Sequence, residues 1–139
     1  MANEHTHVVQ KTAPVPFTVA DGTGIEKGAI LKMTTPRTAS ASDGATDILA
    51  GISATEKIAN DGRRTLGVIS GPGDEFVARS SGDITVGDAV TVAASPANHI
   101  MRMPEATASN SGLKRLGFAL QTVTDAQQTR YKLDMGVTS

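Results

Sequence analysis

Two stretches of the chain set out their apolar residues on the same plan. Ile25-Glu26-Lys27-Gly28-Ala29-Ile30-Leu31-Lys32-Met33 and Ile84-Thr85-Val86-Gly87-Asp88-Ala89-Val90-Thr91-Val92 both open on Ile and reach Gly three positions later. Apolar residues then alternate, Leu31 with Met33 and Val90 with Val92. A period of two belongs to a strand with one buried face. Each stretch continues through a loop of small polar residues to an apolar run around a glycine, Leu49-Ala50-Gly51-Ile52 and Leu116-Gly117-Phe118-Ala119-Leu120. The pattern predicts an all-β grammar and points to a pseudo-repeat of two halves.

Turn signals punctuate the rest. Asp21-Gly22, Asp43-Gly44, Asp61-Gly62, Gly71-Pro72-Gly73 and Ser81-Gly82-Asp83 are spaced as between short strands. Asn60-Asp61-Gly62 separates the run at 52–58 from Thr65–Ile69, and Asp-Gly supplies the positive φ of a tight hairpin. Residues 53–60 fit a helical turn equally well. Further strands are expected at Phe76–Ala78, at 84–92 with a bend at Gly87-Asp88, at Ile100–Met103, at 116–123 and at Tyr131–Met135. Residues 125–130 read as a polar connection with room for one helical turn. Two long loops, 34–47 and 104–112, are almost all small and polar, and loops of that length are usually functional or mobile.

The first 20 residues differ from the rest. They carry two His, the apolar pair Val8-Val9, and Pro14 and Pro16 on either side of Val15. Prolines at alternate positions forbid helix and favour extended backbone. The segment reads either as a frayed terminus or as an arm that pairs with the sheet edge of another chain. The fold expected is therefore mainly β, with at most short helical turns. It is a small β-barrel or β-tulip-like single domain over residues 21–139, preceded by an extended N-terminal arm at 1–20.

Composition narrows the function classes. A chain of 139 residues suits one compact domain that needs no staples, and it has no Cys. Its 13 basic and 14 acidic residues give a net charge of -1 and are interspersed. Arg63-Arg64 and Lys114-Arg115 are the only adjacent basic pairs, so no phosphate-binding face is expected and no nucleic-acid partner. Three Phe, one Tyr and no Trp leave few stacking platforms or binding anchors. No apolar run approaches the ~20 residues of a membrane span, so no membrane partner is expected. The N-terminus lacks the apolar centre of a signal peptide.

Candidate chemistry is sparse. His5 and His7 share a face if extended, which suits a metal, but no third ligand lies near, and the simpler reading is a surface pair. His99 reads as a surface residue in a turn. No Ser stands in a nucleophile motif. Gly71-Pro72-Gly73 and Gly22-Thr23-Gly24 lack the Lys and helix of a phosphate loop. Asp74-Glu75, Asp83 and Asp88 read as solvated turn carboxylates. The expectation is a non-enzymatic protein with no cofactor and no metal.

The run from Ala50-Gly51-Ile52 through Asn60-Asp61-Gly62, the strand at 65–70 and Gly73-Asp74-Glu75-Phe76 together resemble the lambda-type head decoration proteins of tailed bacteriophages. Val86–Val92, Leu116–Leu120 and Tyr131–Met135 resemble the wider set of phage capsid cement proteins. The resemblance covers most of residues 17–135. It implies a homotrimer at capsid three-fold positions, on the outer surface of the virion, with the major capsid protein as partner. It also implies an N-terminal arm that adds a strand to that partner. The arm residues carried over are Val8, Val9, Val15 and Phe17, with Pro14 and Pro16 holding the backbone extended. Edge-strand addition repeated over many identical sites needs no aromatic anchors. The alternatives are another phage virion component, such as a head-tail connector or tail-tube subunit, and a small β-barrel binding module.

Overall fold

The computed structural model describes residues 4–42, 44, 47–93, 98–103 and 114–136. Eleven strands are present among the described residues: β1 (Thr6–Val9), β2 (Val15–Thr18), β3 (Ile30–Thr35), β4 (Thr38–Ala41), β5 (Leu49–Ser53), β6 (Thr65–Ile69), β7 (Glu75–Arg79), β8 (Ala89–Val92), β9 (Ile100–Arg102), β10 (Arg115–Ala119) and β11 (Gln128–Gly136). There is no helix among the described residues. Strands β2-β4-β3-β5-β6 form a closed barrel. The others form a six-stranded sheet in the order β1-β7-β11-β10-β8-β9.

The two sheets share a common set of strand pairings and backbone hydrogen bonds. In the first, β2 meets β4 in parallel at Thr18 and Thr38. In the second, the end of β7 meets β9 in parallel at Ser80 and Ile100, so this sheet also curls round on itself. Ile25 and Lys57 exchange backbone hydrogen bonds at 2.9 and 2.7 Å, and Ile84 and Val123 do the same at 3.0 and 2.8 Å. Gly28 N donates to Ser53 O, and Gly87 N donates to Ala119 O, both at 2.9 Å. Ile30 opposes Ile52 as Ala89 opposes Phe118. The pseudo-repeat suggested by the Ile-x-x-Gly stretches is thus a full structural duplication.

Alternation explains the cores. Phe17, Val19, Leu31, Leu66 and Val68 turn into the first barrel. Phe76, Val90, Val92, Leu116, Tyr131 and Leu133 fill a second core, against the six-stranded sheet. Ile30, Ile52 and Ile69 project from the other face of the first repeat and join the second core. Their counterparts Ala89, Phe118 and Lys132 are partly or fully exposed. Each buried Ile or Leu contributes on the order of 1.5–3 kcal/mol.

The strand expectations at 65–69, 76–78, 100–103 and 131–135 agree with the structure, the third as far as Arg102, whereas the strand expected over 84–92 begins only at Ala89 and the one expected over 116–123 ends at Ala119. The hairpin at Asn60-Asp61-Gly62 differs. β5 ends at Ser53, and the connection to β6 is long because Lys57 leaves the hairpin to bridge Ile25. No helical turn forms at 53–60, and 125–127 is a turn with Ala126 at φ 62°. The loop at 34–47 contains β4, which has no large apolar residue and buries only Ala39. The loop at 104–112 lies outside the described residues.

Candidate functional site

The segment with unusual chemistry is the N-terminal strand and the seat that holds it. β1 pairs antiparallel with β7 of its own chain, Thr6 opposite Val77 and His7 opposite Phe76. It cannot pair in the same way with β2, the counterpart of β7. Pro14 and Pro16 carry no N–H, and the Pro16 carbonyl already accepts from the Arg37 guanidinium at 2.8 Å.

His5 is buried at the head of this strand. Its backbone N–H donates to Gly28 O at 2.8 Å. Nε2 lies 2.8 Å from the Asn98 carbonyl, which can only accept, so Nε2 carries the proton. Nδ1 then accepts from the Tyr131 hydroxyl at 2.7 Å. Burial pushes the imidazole from 6.5 down to about 4, against the raising effect of the Asn98 carbonyl and with a smaller push from His99. Burial also drives the Tyr131 phenol well above its ordinary value. His5 is therefore a neutral, structural histidine.

His7 stacks on Phe76 with ring centres 4.5 Å apart, and Phe76 stacks on Tyr131 at 5.8 Å. Its Nε2 lies 2.8 Å from Asp74 Oδ2. Asp74 Oδ1 accepts from Lys11 N, Thr12 N and Thr12 Oγ1 at 3.0–3.1 Å. One buried carboxylate thus fastens the strand and the segment that leaves it. The sequence reading placed His5, His7 and Asp74 in solvent. His5 and Asp74 are buried, and His7 is partly buried, because the strand closes over them. His99 is buried as well, not at the surface.

A second polar knot lies at the far turn of the first repeat. Lys57 has a fully buried side chain. Its ammonium donates to Asp21 O and Oδ1, Ile58 O and Asp61 Oδ1 at 2.6–3.1 Å. Burial pulls its pKa down, but the hydrogen bonds it donates to Asp61 and Asp21 outweigh this and hold it above the ordinary value. The same bond to Lys57 holds the Asp21 and Asp61 carboxyls low.

The six residues assigned to the arm fall into two groups. Val8 is 39% exposed on β1, and Val9 is half-buried beside it. Pro14 and Pro16 are exposed, and Val15 is half-buried. Phe17 is 5% exposed inside the first barrel, with the Arg37 guanidinium 5.0 Å over its ring. The structure therefore splits the 20-residue arm: residues 6–9 form an added edge strand, and residues 15–18 form a barrel wall.

Among the described residues no group of three His, Cys, Asp or Glu is placed to hold a metal ion. His5, Asp74 and Lys57 spend their polar atoms within the chain, while His99 Nδ1 and Thr129 Oγ1 are buried with no hydrogen-bond partner among the described residues. What the arrangement does is lock a strand onto a sheet.

No protein-family model and no curated protein matches the sequence. Among solved structures, the fold is similar to the N base of the head fiber gp8.5 of bacteriophage phi29. The TM-score is 0.52 with 15% identity, over 86% of this chain and 93% of that one. At this identity the similarity is one of fold alone.

Proposed function

We propose that this chain is a structural component of a phage head, a decoration protein that sits on the outside of the capsid shell and stabilises it. The observation that carries this reading is the fold it shares, over nearly its whole length, with a phage head fiber base. The resemblance to head decoration proteins, read from the Ala50–Phe76 and Val86–Met135 motifs, points the same way. The internal use of His5, Tyr131, Asp74 and Lys57 suits a mechanical role better than a chemical one.

The major capsid protein is the partner, and the edge of β1 is the point of contact. β1 is an end strand of its sheet, with Val8 exposed, so a strand of the shell adds to its outer edge beyond the His5–Gly28 contact. Val9 and the exposed Pro14 and Pro16 flank this contact. Val15 and Phe17 hold the barrel wall beneath it. Copies act as homotrimers at the three-fold positions, and binding only the expanded lattice stabilises that lattice by mass action. The test is co-sedimentation with expanded shells that lack the protein. Saturation near one copy per major capsid subunit is expected, and no saturable binding overturns the reading.

The similarity to a fiber base supports a second reading, a base from which a head appendage rises. A count of copies per particle separates them. Hundreds indicate decoration, and a number tied to few positions indicates an appendage or a connector.

A further inference from the structure

The duplication makes it possible to ask what each repeat does with the same surface. In the first repeat, Lys27, Gly28, Ser53, Ala54 and Ile69 form a shelf that faces the first residues of the chain. The fit to His5 is close. His5 N donates to Gly28 O, and a Cβ on Gly28 would stand 2.1 Å from His5 O.

The counterparts in the second repeat are Val86, Gly87, Ala119, Leu120 and Lys132. The backbone is the same: Gly28 and Gly87 have φ of 87° and 89°, and both N–H groups bond the equivalent carbonyl. The occupancy is not. Among the described residues nothing lies within 4 Å of where a Cβ on Gly87 would be. The side chains have also changed character. Lys27 is replaced by Val86, and Ala54 by Leu120. Val86 is 59% exposed and Leu120 37% exposed. Val86 adjoins Gly87 in sequence, and Leu120 follows Ala119, whose carbonyl accepts from Gly87 N.

We infer that the Val86–Gly87–Leu120 shelf docks an extended segment of the capsid shell protein, backbone to backbone at the Gly87 carbonyl, as the first shelf docks residues 4–7 of this chain. The occupant is a narrow strand and not a second barrel, because the adjoining face is unlike the buried face of the first repeat. Ile69 is replaced there by exposed Lys132, and the ring of Phe118 is capped by the Arg115 guanidinium at 4.8 Å. Among the described residues of this shelf, the corner beside Gly87 is apolar and open. The segment it selects presents a free N–H to Gly87 O and an apolar side chain to Val86 and Leu120. The choice of a shell segment rests on the head-decoration reading above.

The test uses the full chain and expanded shells lacking it. The double variant V86E/L120E alters only exposed positions and keeps the parent circular dichroism and melting temperature. It is expected to lose shell affinity by at least about tenfold. I58E, at an exposed apolar residue of the other repeat, retains parent affinity. A photo-crosslinker at position 86 is expected to join the shell protein. If the parent chain binds shells while V86E/L120E binds equally well, or the crosslinker joins nothing, the shelf inference is overturned and the head reading stands. If the parent does not bind shells, both are overturned.

Discussion

The hydroxyl of Tyr131 donates to Nδ1 of His5 across 2.7 Å, joining residues at opposite ends of the sequence. This bond exists only while His5 is neutral, because the protonated ring has no lone pair to accept it. The seat of β1 is thus sensitive to acid at one atom.

As the pH falls, the unfolded chain takes up the His5 proton near 6.5, and the folded chain only near 4. Stability from neutral His5 is complete above 6.5, declines below it, and is gone once the pH has passed through about 4. The full loss is about 3 kcal/mol. Urea unfolding at pH 7, 5.5 and 4 is expected to show this slope, and H5Q to lack it. An equal slope in both proteins assigns it to other groups.

Asp74 accepts four hydrogen bonds from the N-terminal segment, two of them from backbone N–H groups. Asp74→Asn puts an amide donor where one of these donors now points. A loss of about 1–3 kcal/mol is expected. Faster proteolytic cleavage at residues 10–13 localises it to the strand seat, and parent resistance there excludes the clamp.

Gly117 lies against the neighbouring strand. A Cβ there would stand 2.0 Å from the Lys132 carbonyl oxygen, which is backbone and cannot swing away. Gly117→Ala is expected to destabilise by more than about 3 kcal/mol, whereas Gly44→Ala, with no atom of the described residues within 4 Å of the new Cβ, stays within about 0.5 kcal/mol. Melting temperatures of the two variants make the comparison.

Lys57→Met removes the cation between Asp21 and Asp61 and leaves two carboxylates facing each other. The melting temperature is expected to fall at pH 7, with part recovered near pH 3 as the carboxylates protonate. In the parent, the raised Lys57 keeps its stabilisation below 10.5 and loses it only at higher pH. The lowered Asp21 and Asp61 keep theirs above 3.8 and lose it in acid. A variant that melts like the parent at pH 7 rules out this role.

Alternation made the strands of the second repeat legible, because Val90, Val92, Tyr131 and Leu133 are large and regularly spaced. β4 was not legible. Its residues are Thr, Ala and Ser, and it is a strand only because β3 and β2 flank it. The Ile-x-x-Gly echo showed the duplication, but not that Lys57 takes the place of Val123. A lysine in a polar stretch gives no sign that two carboxylates will enclose it. The arm was read as extended, which β1 is. That it returns to its own chain depends on Gly28, Phe76 and Tyr131, distant in sequence and brought together only by the fold.

The face that carries Ile30, Ile52 and Ile69 in the first repeat is used up inside the chain, while its counterpart points outward. A contact of that kind joins unlike surfaces, so by itself it has no natural end: each unit added offers a fresh face to the next, and the product is a fibre. Lys132 standing where Ile69 would be stops the series, as the polar outer face of a terminal unit does in repeat proteins. The chain in effect counts to two. One lysine keeps the series from growing into a column.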